Sequence, residues 1–232
     1  LPVNDDSQKD SILSNATNND IRFYIEPSYP IAEGEKQPLT PVDSVAGAYW
    51  GAGDDALAVQ SLSSVGYAFA VQMQEALDVP VGILHTATGG TVIEAWISRE
   101  AVDSDEVYKK FLDDNDKYCD ENWWPTQANR QSALYNQKIG PLKGYNVAGT
   151  IWYQGESNSS EPEIYDRALG LLQQDWSNLF GFTEEKMPFI FAQLAPHYYS
   201  ATKGMSASTY LAYTAESMSK AWAANPDTMG QI

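Results

Sequence analysis

The sequence is short of positive charge, cysteine and histidine. Lysine and arginine number 14 against 31 acidic residues, so the formal net charge over 232 residues is 14 minus 31, or -17. A chain this acidic repels polyanions, which argues against nucleic acid as a partner and for neutral or compact ligands. The one cysteine, Cys119, has no partner for an internal disulfide. Its neighbours Asp116, Asp120 and Glu121 deny the thiol the nearby cation that would activate it. No stretch of about 18 apolar residues is present, so membrane insertion is not expected. Only two histidines, His85 and His197, are on hand for proton transfer, and the sequence opens on Leu1 rather than methionine.

What is present is a supply of apolar side chains. With 43% hydrophobic and 12% aromatic residues, the chain has enough to build one sizeable globular domain spanning residues 1–232. Acidic residues crowd between Asp103 and Glu121, where Asp113, Asp114 and Asp116 lie close together. This reads as a solvated surface face rather than a calcium site. Residues 1–20 are polar and read as loop, 21–26 (IRFYIE) as a short strand, and Pro27, Pro30, Pro38 and Pro41 mark a long irregular connection. Helical spacing runs over 62–77 and Pro80 closes it; a buried strand follows at 81–85. The alternation repeats as strand 147–153, helix 164–180, strand 188–194, helix 210–224 and a further strand at 229–232. The excursion 93–144 holds predicted helices over 105–119 and 131–139. Strands alternating with helices predict a parallel sheet in an α/β domain.

In such sheets ligands collect beyond the carboxyl ends of the strands, and two strand ends stand out. VGILH is followed by TATGGTVIEAW, in which Gly89 and Gly90 let the backbone present N–H groups to an anion or oxyanion; a plain tight turn is the alternative. GTIW is followed by YQGESN, which puts Gln154, Gly155, Glu156, Ser157 and Asn158 on one loop. Gln154 or Asn158 can donate to a developing oxyanion and Glu156 can orient a histidine. The alternative is a loop that satisfies its own backbone. Ser157 lacks the glycine-flanked turn that raises a nucleophile above a sheet. His197 follows a strand and suits a substrate-side role, whereas His85, at the end of a buried strand, reads as a core residue.

The segments VPVGILHTATGGTVIEAW, SALYNQKIGPL and GTIWYQGESN occur in this order and resemble the sialate O-acetylesterase-like proteins, a family of SGNH hydrolases. The resemblance runs from about residue 21 to the last, with YQGESN its most distinctive piece. It implies a flavodoxin-like three-layer α/β/α fold with a central parallel sheet. It also implies a carbohydrate O-acetylesterase that hydrolyses acetyl esters through a serine acyl-enzyme, without cofactor. The family's nucleophile lies on a Gly-Gln-Ser-Asn segment and its base on an Asp-x-x-His segment, and neither occurs in this sequence. The chain therefore looks cut at both termini, and as a piece made alone it is expected to be unstable and inactive.

What remains for the site, by this resemblance, is Gln154 and Glu156 as catalytic residues, with Gly89, Gly90, Gln154, Asn158 and His197 binding the oxyanion and substrate. Trp96, Trp123, Trp124 and Trp152 are candidate platforms for a sugar ring, with core packing the alternative. The planar guanidinium of Arg130 suits a sialate carboxylate, with a plain surface arginine the alternative. The expected partner is an O-acetylated sugar or glycan, and the expected location the cell exterior, the cell surface or the periplasm. Acetylated xylan as substrate, and a noncatalytic carbohydrate-binding relative, are the competing readings.

Overall fold

In β1 (Asn18–Ile25) alternate residues are apolar, and Ile21, Phe23 and Ile25 are the ones buried. That two-residue period makes one face of a sheet a core face. β1 is the central strand of three. It pairs antiparallel with β2 (Tyr49–Gly53) and parallel with β3 (Val81–His85), giving the order β2-β1-β3. The computed structural model describes residues 2–28, 37–115, 127–195 and 207–232. These strands belong to the first of two compact units, formed by 1–30 with 45–88; the second comprises 31–44 with 89–232.

Three helices complete the first unit: α1 (Lys9–Ser14), α2 (Ala56–Ser61) and α3 (Ser64–Leu77). The helix expected over 62–77 starts two residues late because Leu62 is extended, and Ser63 caps α3 by accepting from the Gly66 N–H. The turn before it forms a separate short helix, since Asp55 accepts from the N–H groups of Leu57 and Ala58. Val3, Phe23, Val59, Leu62, Tyr67 and Ala70 close the core. Two elements differ from the expectation. The opening residues are not all loop, as they hold a 3-10 turn at Val3–Asp5 and α1. β2, with its two glycines, has little strand signal of its own and takes its register from β1.

The second unit begins its helices with α4 (Arg99–Ser104) and α5 (Glu106–Asp114). On α5, Asp113 and Asp114 pair with Lys109 and Lys110 one turn earlier, the solvated face foreseen for this stretch. The sheet is built from β4 (Thr150–Trp152), β5 (Phe189–Phe191) and β6 (Met229–Gln231), all parallel and in that order. α6 (Tyr165–Leu179) follows β4, and α7 (Ala207–Ala224) follows β5. This is the strand-helix alternation read from the sequence, with shorter strands. Trp152, Phe189, Phe191, Leu169, Leu172, Trp176 and Met218 fill the core between sheet and helices. Such a sheet reads as apolar runs because helices cover it.

The segment 131–139 is not the plain helix expected. Ser132 takes a left-handed conformation with φ 62, and residues Tyr135–Ile139 then wind as a π-helix. Among the described residues no helix is long and apolar enough to cross a membrane, and no group of three or more metal-ligating side chains occurs.

Candidate active site

Gly155, immediately beyond β4, sets the geometry of the second unit's polar loop. Its φ is 147, a region side chains rarely adopt, and a Cβ there would stand 3.0 Å from Leu194 Cδ1. The backbone then winds into the 3-10 turn Glu156–Asn158. Gly155 and Asn158 are thereby buried, while Ser157 is exposed and Glu156 half-buried.

The buried amides of this loop are spent on binding another loop. Gln154 Nε2 donates to the Thr91 carbonyl at 2.9 Å and to Asn158 Oδ1 at 2.7 Å. Asn158 Oδ1 also accepts from the Ile93 N–H at 2.9 Å, and Asn158 Nδ2 donates to both carboxylate oxygens of Glu94, at 3.1 and 2.8 Å. Tyr165, at the start of α6, donates to Gln154 Oε1 at 2.8 Å and accepts from Trp152 Nε1 at 3.3 Å. Burial raises the pKa of this phenol, so it stays neutral and keeps its proton for that bond. With its oxygen held by Tyr165, the Gln154 amide can point its N–H groups only one way. Gly90 is held from the other side, where Asn129 Nδ2 donates to the Gly90 carbonyl at 3.2 Å and Asn129 Oδ1 accepts from the Val92 N–H at 2.9 Å.

Glu94 is the electrostatic centre of the network. Its carboxyl is fully buried, and burial pushes its pKa up from 4.5 to about 7. Hydrogen bonds from Asn158, from its own backbone N–H and from Tyr108 oppose the rise, and the negative charge of Glu161 adds to it. Tyr108 Oη donates to Glu94 Oε1 at 3.2 Å. Sequence reasoning passed over Glu94; the signal available was a lone carboxylate inside the apolar stretch VIEAW.

The residues expected to form the site therefore divide. Gly89 and Gly90 are exposed, Gly90 has φ 72, and neither backbone N–H donates a hydrogen bond within the described residues. A Cβ at either glycine would meet nothing within 4 Å, so open space adjoins both. The Glu156 carbonyl accepts from the Ser159 N–H at 3.2 Å, whereas its carboxylate makes no hydrogen bond or ion pair among the described residues. Gln154 and Asn158 lie between the two loops and hold them. His85 ends β3 in the first unit, and its carbonyl accepts from the Glu26 N–H at 3.3 Å. His197, Trp123, Trp124 and Cys119 lie outside the described residues.

For Trp96 and Trp152 the core-packing reading holds. They are 4% and 7% exposed and stack edge-on at 6.1 Å, with Trp176 edge-on to Trp152 at 5.7 Å. Their indole N–H groups are bonded to Thr91 Oγ1 and Tyr165 Oη. Both are core residues, as apolar rings with a satisfied N–H usually are.

The parallel sheet with helices between its strands places this part of the chain in the α/β class, the class to which the SGNH hydrolases belong. The chain belongs to the carbohydrate esterase family of sialic acid-specific acetylesterases, whose family model matches residues 52–224. Among curated proteins it is similar to human sialate O-acetylesterase, 31% identical over 140 residues, covering 58% of this chain and 25% of that one. The mouse sialate O-acetylesterase is 29% identical over 161 residues, covering 59% and 30%. Among solved structures, a carbohydrate acetylesterase from Xanthomonas citri superposes with a TM-score of 0.77 at 26% identity, over 100% of this chain and 46% of that one. The chain thus spans about a quarter to a half of the length of these relatives.

Proposed function

We propose that this chain carries the carbonyl-binding part of a carbohydrate O-acetylesterase site, acting on acetyl esters of sialic acid. The observation that carries the reading is the pairing of two loops through Gln154, Asn158 and Glu94. It leaves the N–H groups of Gly89 and Gly90 and the carboxylate of Glu156 unspent. In acyl transfer a nucleophile adds to the acetyl carbonyl, the carbonyl oxygen becomes an oxyanion, and the sugar alkoxide leaves with a proton; water then releases acetate. Donors already aimed at that oxygen lower the barrier because nothing must reorganise as charge develops.

Gly89 and Gly90 supply such donors. Gln154 Nε2 joins them by exchanging its bond to the Thr91 carbonyl, and Asn158 keeps the two loops in register. Glu156 is the carboxylate available to orient a histidine base, and none of the residues assigned here carries the acyl group. Sialic acid is favoured over xylan by the family and by the named activity of the mammalian relatives. A site of action outside the cytoplasm suits a sugar displayed on surface and secreted glycans.

Acetate release by the full-length protein from O-acetylated sialic acid and from acetylated xylan tests the reading. Faster turnover of the sialate is expected. Turnover of xylan alone would reassign the substrate, and binding of either sugar without acetate release would mark a noncatalytic carbohydrate-binding protein.

A further inference from the structure

Only four of the 232 residues are arginines, yet two of them, Arg99 and Arg130, line one cavity of about 330 Å3 in the second unit, with Gln131, Ser132, Asn136 and Leu39. That volume lies at the lower end of the roughly 300–1,000 Å3 typical of small-molecule sites. The polar wall is rich in donors. Arg99 gives Nε to Asp103 at 3.0 Å and Nη1 to Gln131 Oε1 at 3.2 Å. Its charge is therefore partly offset, and its second contact fixes the Gln131 amide with the oxygen occupied. The other end of that amide, Nε2, is buried and bonded to nothing.

Ser132 is 3% exposed, and its hydroxyl likewise has no hydrogen-bond partner. Its backbone is held left-handed at φ 62, a conformation that costs a non-glycine residue of order 1 kcal/mol or more. Buried donors without acceptors are rare and call for an explanation. Two in adjacent residues of one wall, beside a guanidinium, lack an acceptor that the oxygens of an anion would supply.

The cavity adjoins the loop pair. The Ser132 N–H donates to the Glu94 carbonyl at 3.0 Å, and Asn129 bonds Gly90 and Val92. Residues 129–132 are thus fastened directly to the Gly90–Glu94 segment. We propose that this cavity is a carboxylate subsite, in which Arg130, Gln131 Nε2 and Ser132 Oγ receive the acid group of an acidic sugar, with Arg99 positioning Gln131. The choice of sugar rests on the esterase reading above, whereas the carboxylate chemistry rests on the cavity alone. In a chain of net charge -17, a built cationic wall is what lets an anionic sugar approach the Gly89–Gly90 turn.

The test is calorimetric titration of the full-length protein with N-acetylneuraminic acid and with its uncharged methyl ester. The acid is expected to bind about tenfold tighter than the ester, the difference a charge-assisted pair confers. Arg130→Ala is expected to abolish that preference. Ser132→Ala, which removes one hydroxyl and little volume, is expected to reduce it even if the arginine variant fails to fold. Equal binding of acid and ester, no binding of the acid at millimolar concentration, or a preference that survives both substitutions would overturn the subsite. Acetate release from neutral acetylated xylan by the unaltered protein separates the two readings. Its presence without a carboxylate preference removes the subsite and keeps the esterase, and a preference with no acetate released from any ester removes the esterase and keeps the subsite.

Discussion

Replacing Glu94 by glutamine removes one ionisation and leaves the shape of the site nearly intact, so the substitution isolates an electrostatic quantity. The folded protein holds this carboxyl at a pKa of about 7 against an ordinary 4.5. Between those values the folded state keeps a proton that the unfolded chain has lost. The folded state therefore binds more protons, and stability falls as pH rises from about 4.5 through 7, then levels off. At about 1.4 kcal/mol per pH unit of difference, the loss is about 3 kcal/mol. Full burial means that solvent screening does not reduce it.

Glutamine mimics the protonated acid. Its oxygen still accepts from Tyr108 or Asn158, and it has nothing to titrate. Urea unfolding of both proteins at pH 5 and pH 8 gives the stability difference at each pH. The variant is expected to gain about 2.5 kcal/mol on the parent between the two. Asp175, whose pKa burial also raises against the hydrogen bonds from Ser98, titrates in both proteins and cancels in the difference. A stability difference identical at the two pH values would refute the reasoning, because it would mean that Glu94 ionises as freely in the folded protein as in the unfolded chain.

Other outcomes follow from the same geometry. Asn158→Asp places a second carboxylate against Glu94, so its cost is expected to be greater at pH 8 than at pH 5, by roughly 1–3 kcal/mol in denaturant unfolding. Gly155→Ala forces a Cβ into Leu194 at φ 147, and a loss of about 1 to 3 kcal/mol, read as a lowered Tm, is expected. Asp175→Ala removes the acceptor of the Ser98 N–H and hydroxyl, both at 2.7 Å, and leaves two buried donors. A cost of about 3 kcal/mol in chemical unfolding is expected.

The sequence made the helices and parallel strands legible where the signal is local. The run at β3 sits between Pro80 and a Gly-Gly turn, and the apolar periodicity of α6 ends near Phe180, so both were readable to within a residue or two. β2 was not, because Tyr49–Gly53 becomes a strand through its pairing with β1, a contact distant in sequence. The π-helix at Tyr135–Ile139 was hidden for a related reason, since the left-handed turn at Ser132 that precedes it is held by a bond to Glu94, a partner distant in sequence.

In the site, the glycines and the YQGESN loop were visible as types, and the assignment of partners was not. Gln154 and Asn158 look like free ligand donors in one dimension, whereas in three their N–H groups are already bonded, so Gln154 reaches a ligand only by exchanging its bond to Thr91. Trp96 and Trp152 suit either a core or a sugar platform until their neighbours are known, and those neighbours make them core. Glu94 was obscured by its apolar surroundings, the same surroundings that raise its pKa.

The central claim is that the loop carrying Gln154 and Glu156 acts on the ester, and the kcat for acetate release from O-acetylated sialic acid by Gln154→Ala and Glu156→Gln forms of the full-length protein tests it most directly. With folding verified by circular dichroism, a loss of about a hundredfold or more is expected for Gln154→Ala, the usual effect of losing an oxyanion donor. A clear loss is also expected for Glu156→Gln. Turnover unchanged in both variants would contradict the account and place the acetyl group elsewhere.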